Sequence, residues 1–390
     1  MPVNNRIADM KPEMAAWRQD IHAHPELAFE EHRTAEVVAE KLKEFGIEVH
    51  AGMAVTGVVG TLKGTGEGPA IAVRADMDAL AMQEETGLDY ASRHAGKMHA
   101  CGHDGHTTML LGAAKYLAET RNFCGTVHFV FQPAEEGAGG AKVMIDEGLF
   151  EKFPVDAVYG LHNWPGLPPG EFAVVSGPMM AAADFFEITI NGTGAHGAMP
   201  HLGADPVVAA AQIVTAAQTI AARNVDPLQA SVVSVTKIHG GDAMNVIPEA
   251  VTLAGTTRAF LEPVRDQMEE GLTRIATSIA AAHGCEATVD YQRNYPATVN
   301  TSAETELAAA AAAAIVGQEN VHRDAAPSMG SEDFAFMLQE RPGCYVWMGT
   351  GAGENGCFLH NPGYDFNDET LPIGASYWAR LIENLLPKAA

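Results

Sequence analysis

Apolar and polar positions along the first part of the chain follow a helical period and then a strand period in alternation. Residues 12–45 repeat apolar positions at helical spacing and end at Gly46, which predicts one long amphipathic helix. Shorter apolar runs and further helical runs follow it: strands at 57–62, 70–74, 126–132 and 156–161, and helices at 104–120 and 142–147. Strands that alternate with helices indicate an α/β layer with a largely parallel sheet.

The pattern changes near residue 183. The next segment contains predicted strands at 185–190, 231–238 and 251–260 and predicted helices at 204–223 and 265–283. This β-α-β-β-α-β-like order is typical of a small α+β unit. The α/β pattern resumes after residue 296 and ends in a helix at 371–386. We therefore predict a small domain, residues 184–295, inserted into a larger domain made of residues 1–183 and 296–390.

Composition narrows the class of protein. A chain of 390 residues is more than one compact core usually holds, and its 24 Lys and Arg against 49 Asp and Glu argue against nucleic acid or an anionic membrane surface as partner. The first 20 residues carry charges throughout, unlike a signal peptide, and the longest apolar run, 307–316, is too short to span a bilayer. Five irregularly spaced cysteines give no disulfide framework. We expect a soluble cytoplasmic protein.

Metal-ligand residue types concentrate in HACGHDGH at residues 99–106, which holds three histidines, a cysteine and an aspartate. Thiolate, imidazole and carboxylate are the ligands that borderline divalent metals choose. Cys101 and His103 are two positions apart, so in an extended or loop segment both side chains can face one side. Asp104 stands where the following helix should begin and could instead cap it. The alternative for the whole cluster is a polar loop with an incidental thiol.

Further candidate ligands come after other predicted strands. Glu135 and Glu136 follow the strand at 126–132, and His162 and His360 end short apolar runs in LHNW and LHNP. One of two adjacent carboxylates can bind metal while its neighbour takes a proton from a metal-bound water, although a solvated turn is the alternative. With the first cluster these residues make a set of five potential ligands: Cys101, His103, Glu136, His162 and His360. One tetrahedral site needs four, so the set suits two metals that share a water.

Two other polar motifs carry weaker signals. Asp76 and Asp78 alternate at the end of the strand in RADMDAL, so both point the same way, and one could orient a metal-binding imidazole. In the insert, His196 lies in the glycine- and proline-rich loop GTGAHGAMPHLGADP, and Asn245 and Arg258 are further polar positions. A polar strand terminus and exposed loop residues are the alternatives for these positions.

These motifs together resemble the metallopeptidase family of aminoacylase, carboxypeptidase G and succinyl-diaminopimelate desuccinylase. The match is closest to the branch of hippurate hydrolases, bacterial N-acyl-amino-acid amidohydrolases and plant auxin-conjugate hydrolases. It runs from DIHAHPELAFEE at 20–31 to LHNPGYDFND at 359–368, and Cys101 is characteristic of the branch. The resemblance implies a zinc-peptidase-like catalytic domain, whose mixed, largely parallel sheet is flanked by helices, with an inserted α+β ferredoxin-like lid and dimerisation domain.

The resemblance also implies roles for the candidate residues. Two divalent ions, of zinc, manganese, cobalt or nickel, would be bound by the same five side chains: Cys101, His103, Glu136, His162 and His360. Glu135 would be the general base and later the acid. Asp78 matches an aspartate beside a metal-binding histidine in relatives, but that histidine is replaced by Asp76 here and His103 substitutes for it, which leaves the catalytic role of Asp78 open. His196 resembles a lid histidine that polarises the scissile carbonyl in the partner subunit's site.

Substrate and assembly follow from the same resemblance. Asn245 and Arg258 resemble residues that hold the substrate carboxylate or the oxyanion, and Gly330 and Ser331 belong to a loop that lines the site in relatives. We expect an amidohydrolase of small N-acyl amino acids with a benzoyl, acetyl or indole-acetyl group, and a homodimer through the lid, with a tetramer left open. The alternatives are a dipeptidase, an N-acetyl-diaminopimelate deacetylase, a thiol enzyme that uses Cys101, and a non-catalytic metal-binding dimerisation protein.

Overall fold

The computed structural model describes residues 3–351 and 356–388. The chain divides into two compact units: unit 1 is Met1–Met179, Val299–Ala326 and Asp333–Ala390, and unit 2 is Met180–Thr298 and Pro327–Glu332. The predicted boundaries at 184 and 295 differ from these by a few residues. The prediction also left 327–332 in the larger domain, whereas the structure assigns this segment to unit 2, where the Ala181 N–H donates to the carbonyl oxygens of Ser328 and Gly330.

Helices are spread over both units. In chain order they are α1 Asn5–Asp9, α2 Lys11–His22, α3 His32–Glu44, α4 His103–Thr120, α5 Gly140–Asp146, α6 Leu149–Lys152, α7 Pro206–Thr219, α8 Glu262–Ala282, α9 Ser302–Val316, α10 Phe334–Glu340 and α11 Leu371–Leu385. The strands in chain order are β1 Glu48–Met53, β2 Gly57–Lys63, β3 Ala70–Asp76, β4 Thr126–Gln132, β5 Ala157–Trp164, β6 Phe172–Ala173, β7 Gly177–Met180, β8 Ala182–Asn191, β9 Ala195–His196, β10 Ser231–His239, β11 Val246–Ile247, β12 Ala250–Ala259, β13 Glu286–Tyr295, β14 Thr298–Asn300, β15 Val321–His322 and β16 Gly343–Gly349.

One mixed sheet forms the centre of unit 1. Among the described residues it has eight strands in the order β1-β2-β4-β3-β5-β16-β6-β15. The four central strands, β4, β3, β5 and β16, run parallel, and β1 and β2 add an antiparallel edge. The central strands are almost entirely buried, as expected for parallel strands covered on both faces. This confirms the predicted mixed, largely parallel sheet.

The core of unit 1 fixes α4 and α11 against this sheet. Every residue of α4 from His103 to Ala114 is buried, and α11 contributes Tyr377 and Trp378, which are at most 1% exposed. The alanine-rich α9 joins the same core through small buried side chains. Apolar burial stabilises the folded state by about 25 cal/mol per Å² of surface removed from water. The packing of α4 and α11 therefore fixes the positions of the strand ends.

The carboxyl ends of three parallel neighbours, β4, β3 and β5, meet at one edge of the sheet. β3 ends at Asp76, β4 is followed by Glu135 and Glu136, and β5 contains His162. In open α/β sheets, ligands bind outside the carboxyl ends of the strands. Residues that lie up to 86 positions apart in the sequence are therefore brought to one place by strand pairing.

Unit 2 is a separate α+β layer. Its antiparallel sheet has the order β10-β12-β8-β13, and α7 and α8 bury their apolar sides with it in one hydrophobic cluster. Strand residues alternate between buried and less buried along β8 and β12, which is the period-two pattern of a sheet with one covered face. The chain order β8-α7-β10-β12-α8-β13 is the predicted ferredoxin-like order.

The predicted single helix at 12–45 is wrong. The chain forms α2 up to His22 and α3 from His32, with a loop between them. His24 precedes Pro25, and a residue before proline is disfavoured in helical conformation, so the sequence did contain the signal for this break. The break was missed because the apolar positions keep a helical period on both sides of it.

Across residues 3–351 and 356–388, no helix is both long and apolar enough to cross a membrane.

Candidate metal centre

His103 begins α4 and its imidazole is fully buried. Its Nδ1–H is shared between the backbone oxygen of Asp78 at 2.9 Å and Oδ1 of Asp78 at 3.2 Å. Since Nδ1 carries the proton, Nε2 is left with its lone pair. In the described part of the chain, His103 Nε2 is buried and has no hydrogen-bond partner. An imidazole fixed in this way presents a metal-ligating atom.

Cys101 and His162 meet beside His103. His162 donates Nδ1–H to the backbone oxygen of Asn163 at 2.7 Å, and its Nε2 lies 3.4 Å from the Cys101 sulfur. The ligand atoms of Cys101, His103 and His162 all lie within 4.8 Å of one another, and all three residues are buried. This is the first group of predicted ligands that the fold gathers.

Glu136 and His360 complete a second group around the same thiol. Cys101, Glu136 and His360 again keep their ligand atoms within 4.8 Å of one another. Glu136 Oε1 lies 3.2 Å from His360 Nε2. The two atoms are not aligned for a hydrogen bond, so among the described residues this buried carboxylate oxygen has no hydrogen-bond partner. The side chain of His360 is 55% exposed, so the centre opens to solvent on this side.

Glu135 lies beside His103 and Glu136. His103, Glu135 and Glu136 form a third group of atoms within 4.8 Å, and Glu135 is 7% exposed. The Asp333 N–H approaches Glu135 Oε1 at 3.4 Å. The carboxylate of Asp78 accepts the Glu136 N–H at 2.9 Å, so one aspartate contacts both His103 and the backbone of Glu136.

Two residues of this centre have a left-handed backbone although they carry side chains. Ala134, directly before the two glutamates, has φ 57°, and His360 has φ 60°. The Ala134 N–H donates to Glu31 Oε1 at 2.9 Å, which holds this turn in place. Non-glycine residues in this region cost free energy and concentrate at functional sites. Here the turn directs Glu135 and Glu136 to the sheet edge.

The donor set fits a divalent cation. Burial raises the pKa of Cys101 well above its usual value, and the charges of Glu136 and Glu135 raise it further. Burial lowers the pKa of His103, but Asp76 and Asp78 overcome that effect and raise it to about 10. A cation relieves both situations, because it favours the thiolate and replaces the proton on the imidazole. The raised thiol pKa opposes Cys101 as a free nucleophile.

His162 is ready to bind as a neutral ligand. Burial and the charge of His106 lower its pKa well below the usual value. His106 itself is fully engaged, since Nδ1 lies 2.5 Å from Asp76 Oδ1 and Nε2 lies 2.6 Å from Asn163 Oδ1. Although Asp76, His103 and His106 also form a compact group, the two ring nitrogens of His106 are already used.

A buried network behind the centre was not predicted. Arg74 donates to Asp76 at 2.6 Å, to Asp333 at 2.9 Å and to Gln132 at 2.8 Å. It therefore connects the aspartate beside His106 to the residue whose N–H faces Glu135. The available signal was an arginine within an otherwise apolar strand, because a buried charge requires partners.

A second buried network involves helix α2. His22 Nδ1 lies 2.8 Å from Asp104 Oδ2, and Arg18 donates to Asp365 and Asp368 at 2.7 Å each. Asp104 is thus occupied by His22 and by the Gly105 N–H, while the residue that caps α4 is Gly102 with φ 91°. The capping interpretation of Asp104 is wrong, since it is the second residue of the helix.

The remaining predicted residues belong to unit 2. His196 pairs with Val246 in the β9–β11 ladder, and its Nδ1 accepts the Ala198 N–H at 3.0 Å. Asn245 is exposed and its backbone oxygen accepts the Gly197 N–H at 2.7 Å, so it is a neighbour of His196. Because Nδ1 of His196 accepts a hydrogen bond, the neutral imidazole carries its proton on Nε2, which can then act as a donor.

Arg258, Gly330 and Ser331 lie elsewhere in unit 2. Arg258 is on β12, where its guanidinium contacts Thr256 Oγ1 and the backbone oxygen of Thr257, and burial lowers its pKa. Gly330 is exposed, donates its N–H to Ser328 Oγ at 3.0 Å and precedes the half-buried Ser331. These contacts place neither Arg258 nor the 330–331 turn beside His196 and Asn245.

Fold and side-chain cluster together define a metal-dependent hydrolase, and known proteins agree with this class. The chain belongs to peptidase family M20/M25/M40, whose model matches residues 72–384. It is 44% identical over 375 residues to the hippurate hydrolase of Campylobacter jejuni, covering 96% of this chain and 97% of that protein. It is 42% identical over 378 residues to the N-acetyl-L-cysteine deacetylase of Bacillus subtilis, covering 97% and 88%.

A similar solved structure is described as a metal-binding protein. The crystal structure of a dinuclear metal-binding peptidase of the M20 family from Bacillus subtilis has a TM-score of 0.85 to this chain at 37% identity, covering 97% of this chain and 99% of that one. These findings confirm the predicted family, its branch and the class of metal-dependent amide hydrolase. Together with the ligand groups they support divalent metal binding by this chain.

Proposed function

We propose that this protein hydrolyses the amide bond of small N-acyl amino acids with two divalent cations held by five side chains: Cys101, His103, Glu136, His162 and His360. One observation carries the proposal. The ligand groups of these residues overlap, since Cys101 belongs to two of them and His103 and Glu136 link them to Glu135. Relatives named for hippurate and N-acetyl-L-cysteine support the substrate class.

When bound, the cations supply Lewis-acid stabilisation of the developing charge and lower the pKa of water. The chain's own residues manage the proton. Glu135 accepts a proton from the attacking water as the water oxygen bonds to the amide carbon. It then gives this proton to the leaving nitrogen as the C–N bond breaks, so the products are a carboxylic acid and an amino acid. The Asp333 N–H near Glu135 Oε1 restrains the carboxylate between these two steps.

Unit 2 contributes the oxyanion donor and the carboxylate anchor in this proposal. His196 keeps Nε2–H free because Ala198 occupies Nδ1, and a placed donor of this kind can lower a barrier by about 3 kcal/mol. Arg258 offers its guanidinium, and Asn245 its amide, to the substrate carboxylate or the oxyanion. Gly330 and Ser331 would line the site.

We further propose a homodimer formed through unit 2, in which His196 serves the partner subunit's site, with a tetramer as a higher assembly. The edge strand β10 supports this, because no described strand pairs with its outer side and its Ile238 is 59% exposed. Unpaired strand edges are ready templates for association. Light scattering should give a mass of two chains or more, and a monomer at micromolar concentration would contradict the proposal.

The test of the activity is a substrate panel after metal stripping and reloading. Hippurate, N-acetyl-methionine, N-acetyl-diaminopimelate and simple dipeptides are compared. We expect hydrolysis of the first two, lost with the chelator and restored by Zn²⁺, Mn²⁺, Co²⁺ or Ni²⁺. A preference for free-amine dipeptides would instead indicate a dipeptidase, and a preference for the diacid a deacetylase. Hydrolysis that survives chelation would favour thiol catalysis, and no hydrolysis at all would favour a non-catalytic protein.

A further inference from the structure

An asparagine directly after a predicted metal ligand is the centre of a buried set of hydrogen bonds. Asn163, on β5, is fully buried, and its backbone oxygen accepts the Nδ1–H of His162 at 2.7 Å. Its side-chain amide donates Nδ2–H to the hydroxyl oxygen of Tyr364 at 2.6 Å, and its Oδ1 lies 2.6 Å from His106 Nε2. Asn163 therefore contacts a predicted ligand through its main chain and two other segments of unit 1 through its side chain.

Tyr364 belongs to the loop that carries another predicted ligand. It is four residues after His360, and its N–H donates to the Asn361 oxygen at 2.9 Å, which closes the turn between them. The His360 N–H donates to the backbone oxygen of Ala100 at 2.8 Å, directly before Cys101. The ring of Tyr364 is buried in one small apolar cluster with Ala100. The loop of His360 is therefore fixed to the segment of Cys101 by main chain and ring together.

Gly102 lies directly against the side chains of Asn163 and Tyr364. It stands between Cys101 and His103 and has φ 91°. A Cβ atom at residue 102 would lie 2.4 Å from Asn163 Oδ1 and 2.9 Å from the hydroxyl oxygen of Tyr364. Both the left-handed backbone and the lack of space restrict this position to glycine. The hydrogen-bonded pair is thus packed between the segments of four predicted ligands.

Filling space does not by itself require a polar pair here. Burying an amide and a phenol costs free energy unless both are hydrogen-bonded, whereas apolar side chains of similar size carry no such requirement. What the hydrogen bond adds is a defined distance and orientation between the end of β5 and the loop of His360. Metal ligands need that definition, and buried partners around a site supply it.

We propose that Asn163 and Tyr364 are positioning residues of the metal centre, and that their hydrogen bond, packed against Gly102, sets the distances between four predicted ligands. Those ligands are Cys101, His103, His162 and His360. The inference rests on the proposed two-metal function and adds residues that act through the ligands without binding a cation. Loss of the hydrogen bond weakens cation binding and changes the geometry at the Cys101 thiolate.

The first test removes the Tyr364 hydroxyl and leaves its ring in place. Tyr364→Phe should weaken Co²⁺ binding about tenfold, since partners of metal ligands contribute about 10–100-fold. In the Co²⁺-saturated protein it should also shift the thiolate-to-Co²⁺ charge-transfer band. A chelator competition titration and an absorption spectrum measure the two effects. Tyr116→Phe is the control and should match the wild type, because it removes the same group from the far part of α4, where the hydroxyl contacts Glu383 Oε1.

The second test asks whether Gly102 is packed on the Asn163 amide. Gly102→Ala should weaken Co²⁺ binding more than Tyr364→Phe does, because its methyl group would meet the amide oxygen. In an Asn163→Ala background the same substitution should cost less, because that oxygen is gone, so the two losses should not add. An equal cost of Gly102→Ala in both backgrounds would contradict the packing.

The unfolding midpoint of the metal-free protein separates positioning from general stability. Metal-free Tyr364→Phe should unfold close to the wild-type midpoint although its Co²⁺ affinity is reduced. Unchanged Co²⁺ affinity and spectrum in Tyr364→Phe would overturn the positioning role, whatever its midpoint. A wild type that binds Co²⁺ but hydrolyses no N-acyl amino acid would instead reject the proposed function alone.

Discussion

Glu135 and Glu136 are neighbours in the chain, yet different atoms surround them. Glu136 Oε1 faces His360 at 3.2 Å and shares a ligand group with Cys101, whereas Glu135 faces the Asp333 N–H. The pattern of two adjacent carboxylates after a strand predicts one metal ligand and one base, and these two roles stay predictions. The turn at Ala134, whose N–H is bound by Glu31 103 positions away, could not be read from that local pattern.

Exchanging each glutamate for glutamine should separate base from ligand. Glu135→Gln should retain its metal and lose about 10²–10⁴-fold in kcat, the usual contribution of a general acid–base. Glu136→Gln is the matched variant, and it should lose metal. Metal content by mass spectrometry and kcat on hippurate give both results. Activity of Glu135→Gln near the wild-type level would reject Glu135 as the base.

Asp78 contacts His103 and the Glu136 N–H, so its substitution should act on metal affinity. Asp78→Asn keeps the shape but removes the charge that favours the ligating imidazole, and partners of this kind typically contribute 10–100-fold, so a loss of about that size is expected. A chelator competition titration measures it, with the exposed Asp89→Asn as control. An unchanged affinity would show that the Asp78 carboxylate does not position these ligands.

The candidate residues at the centre were predictable because Cys101 and His103 lie in one short cluster, Glu135 and Glu136 are adjacent, and His162 and His360 each end an apolar run. Their supporting partners were not, since Arg74 and Asp333 are separated by 259 positions and meet only after β3, β4 and α10 have packed. The same holds for Arg18, whose partners Asp365 and Asp368 lie near the other end of the chain. Sequence spacing carries no signal for such pairs.

At the scale of elements, period and turn residues predicted β2, β3, β4 and β5 of the unit 1 sheet and the main strands and helices of unit 2, but did not locate β1, β6, β15 and β16. The helix at 12–45 failed because its apolar period continues through the loop at 23–31, where Pro25 is the break. The parallel pairing order β4-β3-β5-β16 could not be derived from periodicity, because a strand's pattern indicates burial and not its neighbour.

The strand pair β2–β4 should make stability depend on pH. His128 on β4 is 6% exposed, contacts Thr61 Oγ1 at 2.9 Å, and has its pKa lowered by burial to about 4. Since the folded pKa lies below the unfolded value of about 6.5, neutral His128 contributes fully above that pH and the contribution is lost as pH falls toward 4.

Between pH 7.5 and 5.0 this linkage should lower the free energy of unfolding by about 2 kcal/mol. His128→Gln should show that much less pH dependence than the wild type in urea unfolding. His50→Gln, at an exposed position on β1, is the control and should follow the wild type. Identical pH slopes for wild type and His128→Gln would contradict the linkage.

At the scale of the whole molecule, the charge of −25 on 390 residues favours cation binding over association with polyanions. The chain divides into two compact units, whose second unit also takes in residues 327–332, and the roles of the units as catalytic domain and lid stay predictions. Assembly and cellular location also stay predictions, because one chain's sequence and fold contain no measurement of either.

Removing the cations should destabilise unit 1. The buried thiol, histidines and carboxylates would then face one another without a compensating charge, and a ligand at about 1,000 times its Kd stabilises by about 4 kcal/mol. Calorimetry should show a lower Tm after chelation and recovery with added divalent metal. Cys101→Ala should respond less to the same treatment. A Tm that ignores chelation would contradict metal binding at this centre.

The left-handed turns at Ala134 and His360 have a consequence for how this protein can change over generations. Each costs roughly 1–2 kcal/mol that glycine would largely avoid. Under selection for heat resistance alone, Ala134→Gly would be favoured because it removes this strain. The same substitution would loosen the backbone turn that positions Glu135 and Glu136. At position 134, a change that raises thermal stability is therefore expected to lower the catalytic rate.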